Sequence, residues 1–100
     1  MTLWDHLLTE ALAWPGVETR KSRFSGARGL WVDGREIAHE HDATRVDVRL
    51  PKTKRAPYAA LCPTGDPKKR AAWIELEAHD AKARALVLEA LEAAHAAARR

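Results

Sequence analysis

Two histidines one residue apart, in His39-Glu40-His41, are the side chains best spaced for chemistry in this chain. On an extended strand, residues i and i+2 share a face, so both imidazoles are expected to point the same way, near the end of the apolar side of the sheet. A pair held like this can bind zinc, but a zinc site needs a third protein ligand and a fourth group. Cys62, His79 and Asp42 are the donors on offer, and no spacing rule selects among them. His39 and His41 are therefore candidate ligand or metal contacts, with rim histidines bonded to loop carbonyls as the plainer reading. No metal and no cofactor is predicted.

Other catalytic patterns are absent. The chain has no Gly-x-Ser-x-Gly elbow, no phosphate-cradling glycine loop and no Cys-x-x-Cys. Cys62 lies between Leu61 and Pro63 with no base beside it in sequence, which gives a nucleophile no means of activation.

Charge offers a stronger lead. Residues 49–70 hold seven basic side chains against Asp66 alone, a local net charge of +6 in a chain whose total is +3. Lys52, Lys54, Arg55, Lys68, Lys69 and Arg70 are the candidate anion-binding residues. Clustered cations favour a phosphate-bearing or acidic partner, and Tyr58 within the segment offers a ring for base stacking. No recognition helix, zinc finger or aromatic sheet motif accompanies them. A solvated basic loop without a partner is the competing reading.

These side chains must be positioned by a small fold. One hundred residues, 46% hydrophobic and 31% charged, suit one globular α+β domain over 1–100. A lone cysteine cannot close an internal disulfide. No apolar run approaches the ~20 residues of a membrane span, and Met1-Thr2-Leu3-Trp4-Asp5 lacks a signal-peptide pattern. A cytoplasmic protein without membrane contact is expected.

Trp4, Leu7, Leu8, Ala11 and Trp14 share one helical stripe, so the spacing predicts a helix over 3–14, capped by Thr2 with Asp5 and stopped at Pro15-Gly16. Residues 17–24 read as a polar edge strand, and 25–29 as a turn. Asp33-Gly34 predicts a tight hairpin pairing Val32 with Arg35, Trp31 with Glu36 and Leu30 with Ile37. For the next strand, 45–50, an even connection places Glu40 opposite Arg45, His39 opposite Val46, Ile37 opposite Val48 and Glu36 opposite Arg49. An odd connection would set Glu40 against Val46 and lose both charge pairs, so the even one is preferred. Four prolines break up 51–70, leaving a short helical piece at 57–61, before a strand over 71–78. Asp80 caps a final helix over 81–98. The expected fold is an antiparallel sheet of about five strands with N- and C-terminal helices on one face, in the order α-β-β-β-β-α-β-α.

That register puts Leu30, Val32, Ile37, Val46, Val48, Leu50, Ile74 and Leu76 under the helices. The other face receives Glu36, Glu40, Arg45, Asp47, Arg49, Glu75 and Glu77, with Trp31 and Trp73 among them, and is expected to be wet. Trp31, Trp73, Arg45 and Arg49 form the candidate interaction surface there, for a partner or a homodimer, the plainer reading being that each indole lies flat over neighbouring side-chain stems.

Four runs carry a family likeness: Trp14-Pro15-Gly16-Val17, the strand Gly34-Arg35-Glu36-Ile37-Ala38-His39-Glu40-His41, Val46-Asp47-Val48-Arg49-Leu50-Pro51 and Ala72-Trp73-Ile74-Glu75-Leu76. Together they resemble the small bacterial "luciferase domain" family, whose members show a Gly-Arg-Glu-Ile-Gly-His-x-His-like strand, a Leu-Pro step into a helix and a late tryptophan. Ala38 stands where that pattern has glycine, and the segment between Leu50 and Trp73 is shorter and more basic, with Pro57 in its helix. The resemblance implies no flavin or luciferin site and no light emission. The layout is also similar to that of YjbR-like domains, a likeness of topology that carries no function. The expected function is a non-catalytic binding or interaction module with a basic anion-contacting segment. The alternatives are a small metal-assisted hydrolase using His39 and His41, and a homodimerising structural domain.

Overall fold

A computed structural model describes residues 1–99. Helix α1 runs Leu3–Ala11 behind a capping box, Thr2 Oγ1 accepting the Asp5 amide and the Asp5 carboxylate accepting the Thr2 amide, each at 3.2 Å. It ends a turn earlier than its apolar stripe implies. The Trp14 amide turns back to the Ala11 carbonyl at 3.0 Å, and Gly16, at φ +75°, reverses the chain. Helix α2 (Ala81–Ala98) starts on Asp80, whose carboxylate accepts the Ala83 amide at 2.8 Å.

Five strands, β1 (Val17–Lys21), β2 (Arg28–Val32), β3 (Arg35–Asp42), β4 (Arg45–Arg49) and β5 (Trp73–Glu77), form an antiparallel meander in chain order. Two 3-10 turns, Lys52–Lys54 and Ala56–Leu61, fill the connection before β5. Strand β1 is shorter than the 17–24 expected, because residues 22–27 leave the sheet as a loop closed by the Ser22 amide on the Ala27 carbonyl at 2.7 Å. The eight apolar side chains expected under the helices are all buried, with Trp4 and Leu7 of α1 and Val87 and Leu91 of α2 among them. Covering the apolar face of the sheet with both helices is what holds the layers together.

The register departs from expectation at two points. Asp33 and Gly34 adopt the positive φ angles of a tight hairpin, +50° and +84°, and Val32 faces Arg35 and Trp31 faces Glu36 as read. Leu30 then faces Ala38, not Ile37, so Ile37 is the extra residue of a β-bulge. Both Ile37 and Ala38 enter the core, and the bulge is what lets two consecutive residues do so. A second bulge falls at His41: Glu40 faces Val46, His39 faces Asp47 and Asp42 faces Arg45. The even connection is thus overturned. The charge pairing that favoured it is recovered by another acid, because Arg45 Nε donates to Asp42 at 2.7 Å. Arg49 meets the backbone of Glu36, donating to its carbonyl at 3.1 Å, and not its carboxylate.

These bulges reassign side chains. His39 lies on the face opposite the helices instead of the core face. Glu40 moves to the helix side, where Arg28 holds it at 2.8 Å while reaching Asp5 of α1 at 3.2 Å.

The proline-rich connection is organised by Arg55, which is 0% exposed. Its Nε donates to the Leu50 carbonyl at 2.8 Å, Nη1 to those of Pro67 and Arg70 at 2.9 and 2.8 Å, and Nη2 to that of Ala71 at 3.2 Å. Arg55→Ala is expected to orphan these carbonyls and lower unfolding free energy in urea by about 3 kcal/mol or more, since each charged hydrogen bond contributes roughly 1.5–3 kcal/mol. Arg55→Lys, lacking the planar fork, should recover less than half. A change below about 1 kcal/mol in Arg55→Ala would contradict this role.

Candidate functional site

The bulge at Ile37 places Glu36 and His39 on the same face, three residues apart, where a regular strand would set them on opposite sides. His39 Nδ1 lies 2.9 Å from Glu36 Oε2, and Nε2 lies 2.9 Å from Asp47 Oδ2 on the neighbouring strand. All three residues are buried. With a carboxylate on each ring nitrogen, both nitrogens can donate only in the imidazolium form, which this geometry favours. Burial opposes that charge, but the hydrogen bonds and charges of Asp47, then of Glu36, overcome it and raise the His39 pKa above its ordinary value. Burial likewise pushes the Asp47 carboxyl upward, and His39 with Arg70 outweighs it, leaving the pKa lowered.

Each carboxylate also fastens a loop. Glu36 accepts the Ser22 hydroxyl at 2.5 Å and the Arg23 amide at 2.9 Å, while Ser22 Oγ accepts the amides of Phe24 and Ser25 at 3.1 and 3.2 Å. The 22–27 loop is thereby folded onto the sheet, with Phe24 edge-on to Trp73 at 5.4 Å and 6.5 Å from the His39 ring. Gly29, opposite His39, leaves the room this needs: a Cβ there would sit 2.9 Å from the Arg20 carbonyl and 3.1 Å from Trp31 Nε1. On the other side, Arg70 Nη1 donates to Asp47 at 2.8 Å.

The expectation of a wet face fails at Glu36, Asp47 and Trp73, which are buried, while Trp31, Arg45, Arg49, Glu75 and Glu77 keep partial exposure. Trp73 is only 8% exposed, stacked under the Arg49 guanidinium at 4.8 Å and beside His39 at 4.8 Å. Trp31 is half-buried beneath Arg20, 4.5 Å from its ring centre. Arg45 is bound to Asp42 and Glu75, and Arg45 holds the Asp42 carboxyl down to about 2. Of the aromatic side chains on this side, Phe24 is the outer one, at 58% exposure.

The histidine pair does not act as a pair. His39 has no free nitrogen to ligate a metal or take a proton from a nucleophile, and Ser22 gives its proton to Glu36, not to His39. His41 is exposed, 3.4 Å from Asp47 Oδ2. Among the described residues, His41, Asp47 and Glu75 are the potential metal donors that converge, within 4.8 Å of one another. Neither Cys62, which is buried with Sγ 3.2 Å from Thr64, nor His79, bonded to Glu77, joins them. Arg70 and Arg45 already neutralise the two acids of that group.

In the basic segment, Arg55 and Arg70 are committed to protein acceptors, while Lys52, Lys54, Lys68 and Lys69 stay exposed. Tyr58 is buried, its hydroxyl 3.4 Å from Glu89, so it is not open to stack on a base. From the sequence, a meeting of Ser22 with the histidines is no more than any chain of this composition allows, and Glu36 and Asp47 fall on a solvated surface. A signal was present: alternation fails at Ile37-Ala38, where the bulge lies. Comparison with known proteins finds no matching family model, no similar curated protein and no similar solved structure. The luciferase-domain likeness rests on the residues quoted for it.

The network fixes a pH dependence. His39's contribution is complete below its unfolded pKa of about 6.5 and is lost as pH rises through its raised folded value. Asp47's is complete above its unfolded value of about 3.8 and is lost as pH falls through its lowered folded value. Urea unfolding should thus show a plateau between about pH 4 and 6.5 with a decline on either side. His39→Gln should lower the plateau by roughly 3 kcal/mol, by stranding two buried carboxylates, and flatten the alkaline decline. An undiminished alkaline decline in His39→Gln would assign it to another group.

Proposed function

We propose that this protein is a binding module for a phosphate-bearing partner, contacted by Lys52, Lys54, Lys68 and Lys69. One observation carries the reading. The buried Arg55 fork binds carbonyls of residues 50, 67, 70 and 71, and so draws the 52–55 and 67–71 stretches together at one end of the fold. The four lysines left exposed there have no ion-pair partner among the described residues. Unneutralised ammonium groups held near one another concentrate positive potential and attract polyanions.

The burial of Tyr58 narrows the partner. With Tyr58 closed off, the segment itself offers no ring for stacking, and recognition there falls on phosphate charge, not on bases. A metal-assisted hydrolysis at His41 is the weaker reading, because a cation there must displace Arg70 and Arg45 from the acids they bind.

Fluorescence anisotropy with a labelled single-stranded oligonucleotide tests this. Affinity should fall with log salt at a slope of about −2 to −3, as expected for three or four phosphate contacts. Inorganic polyphosphate should compete, and Lys68→Glu with Lys69→Glu should weaken binding by roughly tenfold or more while flattening the slope by about 1.5. Absent or salt-insensitive binding in about 50 mM salt would remove the proposal.

A further inference from the structure

The two edges of the sheet differ in how they are covered. Strand β5 has the Ala56–Leu61 turn packed against it, whereas β1 makes extended contact with β2 and with no other element among the described residues. Two backbone bonds fix which groups of β1 that leaves open. The Asp33 amide donates to the Gly16 carbonyl at 3.3 Å, and the Ser22 amide to the Ala27 carbonyl at 2.7 Å. Bonded and non-bonded positions alternate along an antiparallel pair. Glu18, opposite Trp31, and Arg20, opposite Gly29, therefore also turn their N–H and C=O groups toward β2. Val17, Thr19 and Lys21 turn theirs outward. The Val17 amide is taken by the Trp14 carbonyl at 3.4 Å, and the backbone groups of Thr19 and Lys21, both exposed residues, are left to solvent.

Charged side chains normally guard such an edge against pairing. Here an acid and a base flank Thr19 symmetrically, so a two-fold axis cancels the guard. Consider β1 paired antiparallel with the β1 of a second copy through the outward groups. Centred on Glu18, the pairing sets Glu18 against Glu18; centred on Arg20, it sets Arg20 against Arg20. Like charges directly opposite are destabilising. Centred on Thr19, it sets Glu18 against the partner's Arg20 and Arg20 against the partner's Glu18, at non-bonded positions where opposing side chains come closest. Glu18 and Arg20 already touch within one chain at 2.8 Å, so charge alternates in sign around the axis. Thr19 meets Thr19, and Val17 meets the stem of Lys21.

We propose that β1 joins the β1 of a second copy in the register centred on Thr19, so that the two sheets continue as one. Hydrogen bonds exchanged between the two Thr19 residues, and from each Lys21 amide to the partner's Val17 carbonyl, supply the affinity, and the charge pairs choose the register. A strand pair of five residues buries less than about 1,000 Å², which belongs with weak, transient contacts. The contact does not rest on the lysine surface.

Sedimentation equilibrium of the full chain, free of nucleic acid and carried to about 1 mM, tests this in the range where so small an interface associates. Mass should rise with concentration from 11.1 kDa toward twice that value. Glu18→Arg and Arg20→Glu each turn opposite-charge pairs into like-charge pairs, and each should weaken self-association roughly tenfold or more. An equimolar mixture of the two variants should associate again, because each then faces the charge it lacks. Thr19→Pro removes an outward N–H, a change that a free edge tolerates, and should abolish association while circular dichroism shows the monomer folded. The proposal fails if the protein keeps monomer mass throughout, if association survives the single reversals, or if mixing the two variants does not restore it.

Discussion

An imidazolium held between two buried carboxylates is an unusual thing for a thin domain to contain, because removing three charges from water costs several kcal/mol per ion. His39 can occupy that place only if each neighbouring group is fully paired. Glu36 meets the ring, the Ser22 hydroxyl and the Arg23 amide, and Asp47 meets the ring, Arg70 and His41. The acceptors come from adjacent strands, and the donors other than His39 and His41 from loops distant in sequence. One charge cluster therefore decides where the 22–27 loop and the 66–70 stretch lie on the sheet. Hydrophobic burial beneath the helices would hold the layers without it, but would not specify the conformation of either loop.

The cluster exists because the sheet is bulged, and here sequence-based reasoning reached its limit. Alternation of apolar and polar residues correctly identified the helix-facing side chains of β2, β4 and β5, and both helix caps are those read from Thr2-Asp5 and Asp80. Alternation also assumes an unbroken period of two, and a bulge shifts the parity of all that follows it. His39 was therefore assigned to the core side and Glu40 to the charged side. The local clue is that Ile37 and Ala38 are both apolar, so a regular strand must expose one of them, and a bulge buries both. The sequence shows that a conflict exists at those two positions but does not show how it resolves, because the resolution depends on Val48 and Leu30 from other strands.

Arg55 poses the same difficulty in another form. Counting charge treats it as equal to Lys52 and Lys54, although the structure uses it as a source of donors. The physical reason lies in its surroundings. Pro51, Pro57, Pro63 and Pro67 have no N–H to contribute, and irregular backbone cannot pair its carbonyls in a ladder. A segment poor in donors needs them from a side chain, and a guanidinium offers five in a fixed plane. Lysine, with one flexible ammonium, is free to remain in solvent. The distinction between a structural arginine and its exposed neighbours thus follows from the prolines, a feature visible in the sequence once the question asked is which group satisfies the carbonyls.

Arg70 joins the two systems. Its carbonyl accepts from Arg55, which orders the basic stretches, and its guanidinium binds Asp47, which holds His39. An anion that drew this guanidinium away would leave Asp47 to His39 and His41, and the His39 ring would then hold its proton more strongly. Linkage requires the converse as well: a change in His39 protonation must alter how firmly Arg70 is retained, and so how much positive charge the lysine surface can share with a ligand. The buried acid–base cluster and the exposed lysines are therefore not independent features that happen to lie on one small domain. Arg70 is the side chain that touches both, and any coupling of an anion to the cluster would depend on how much of the Asp47 charge Arg70 alone compensates.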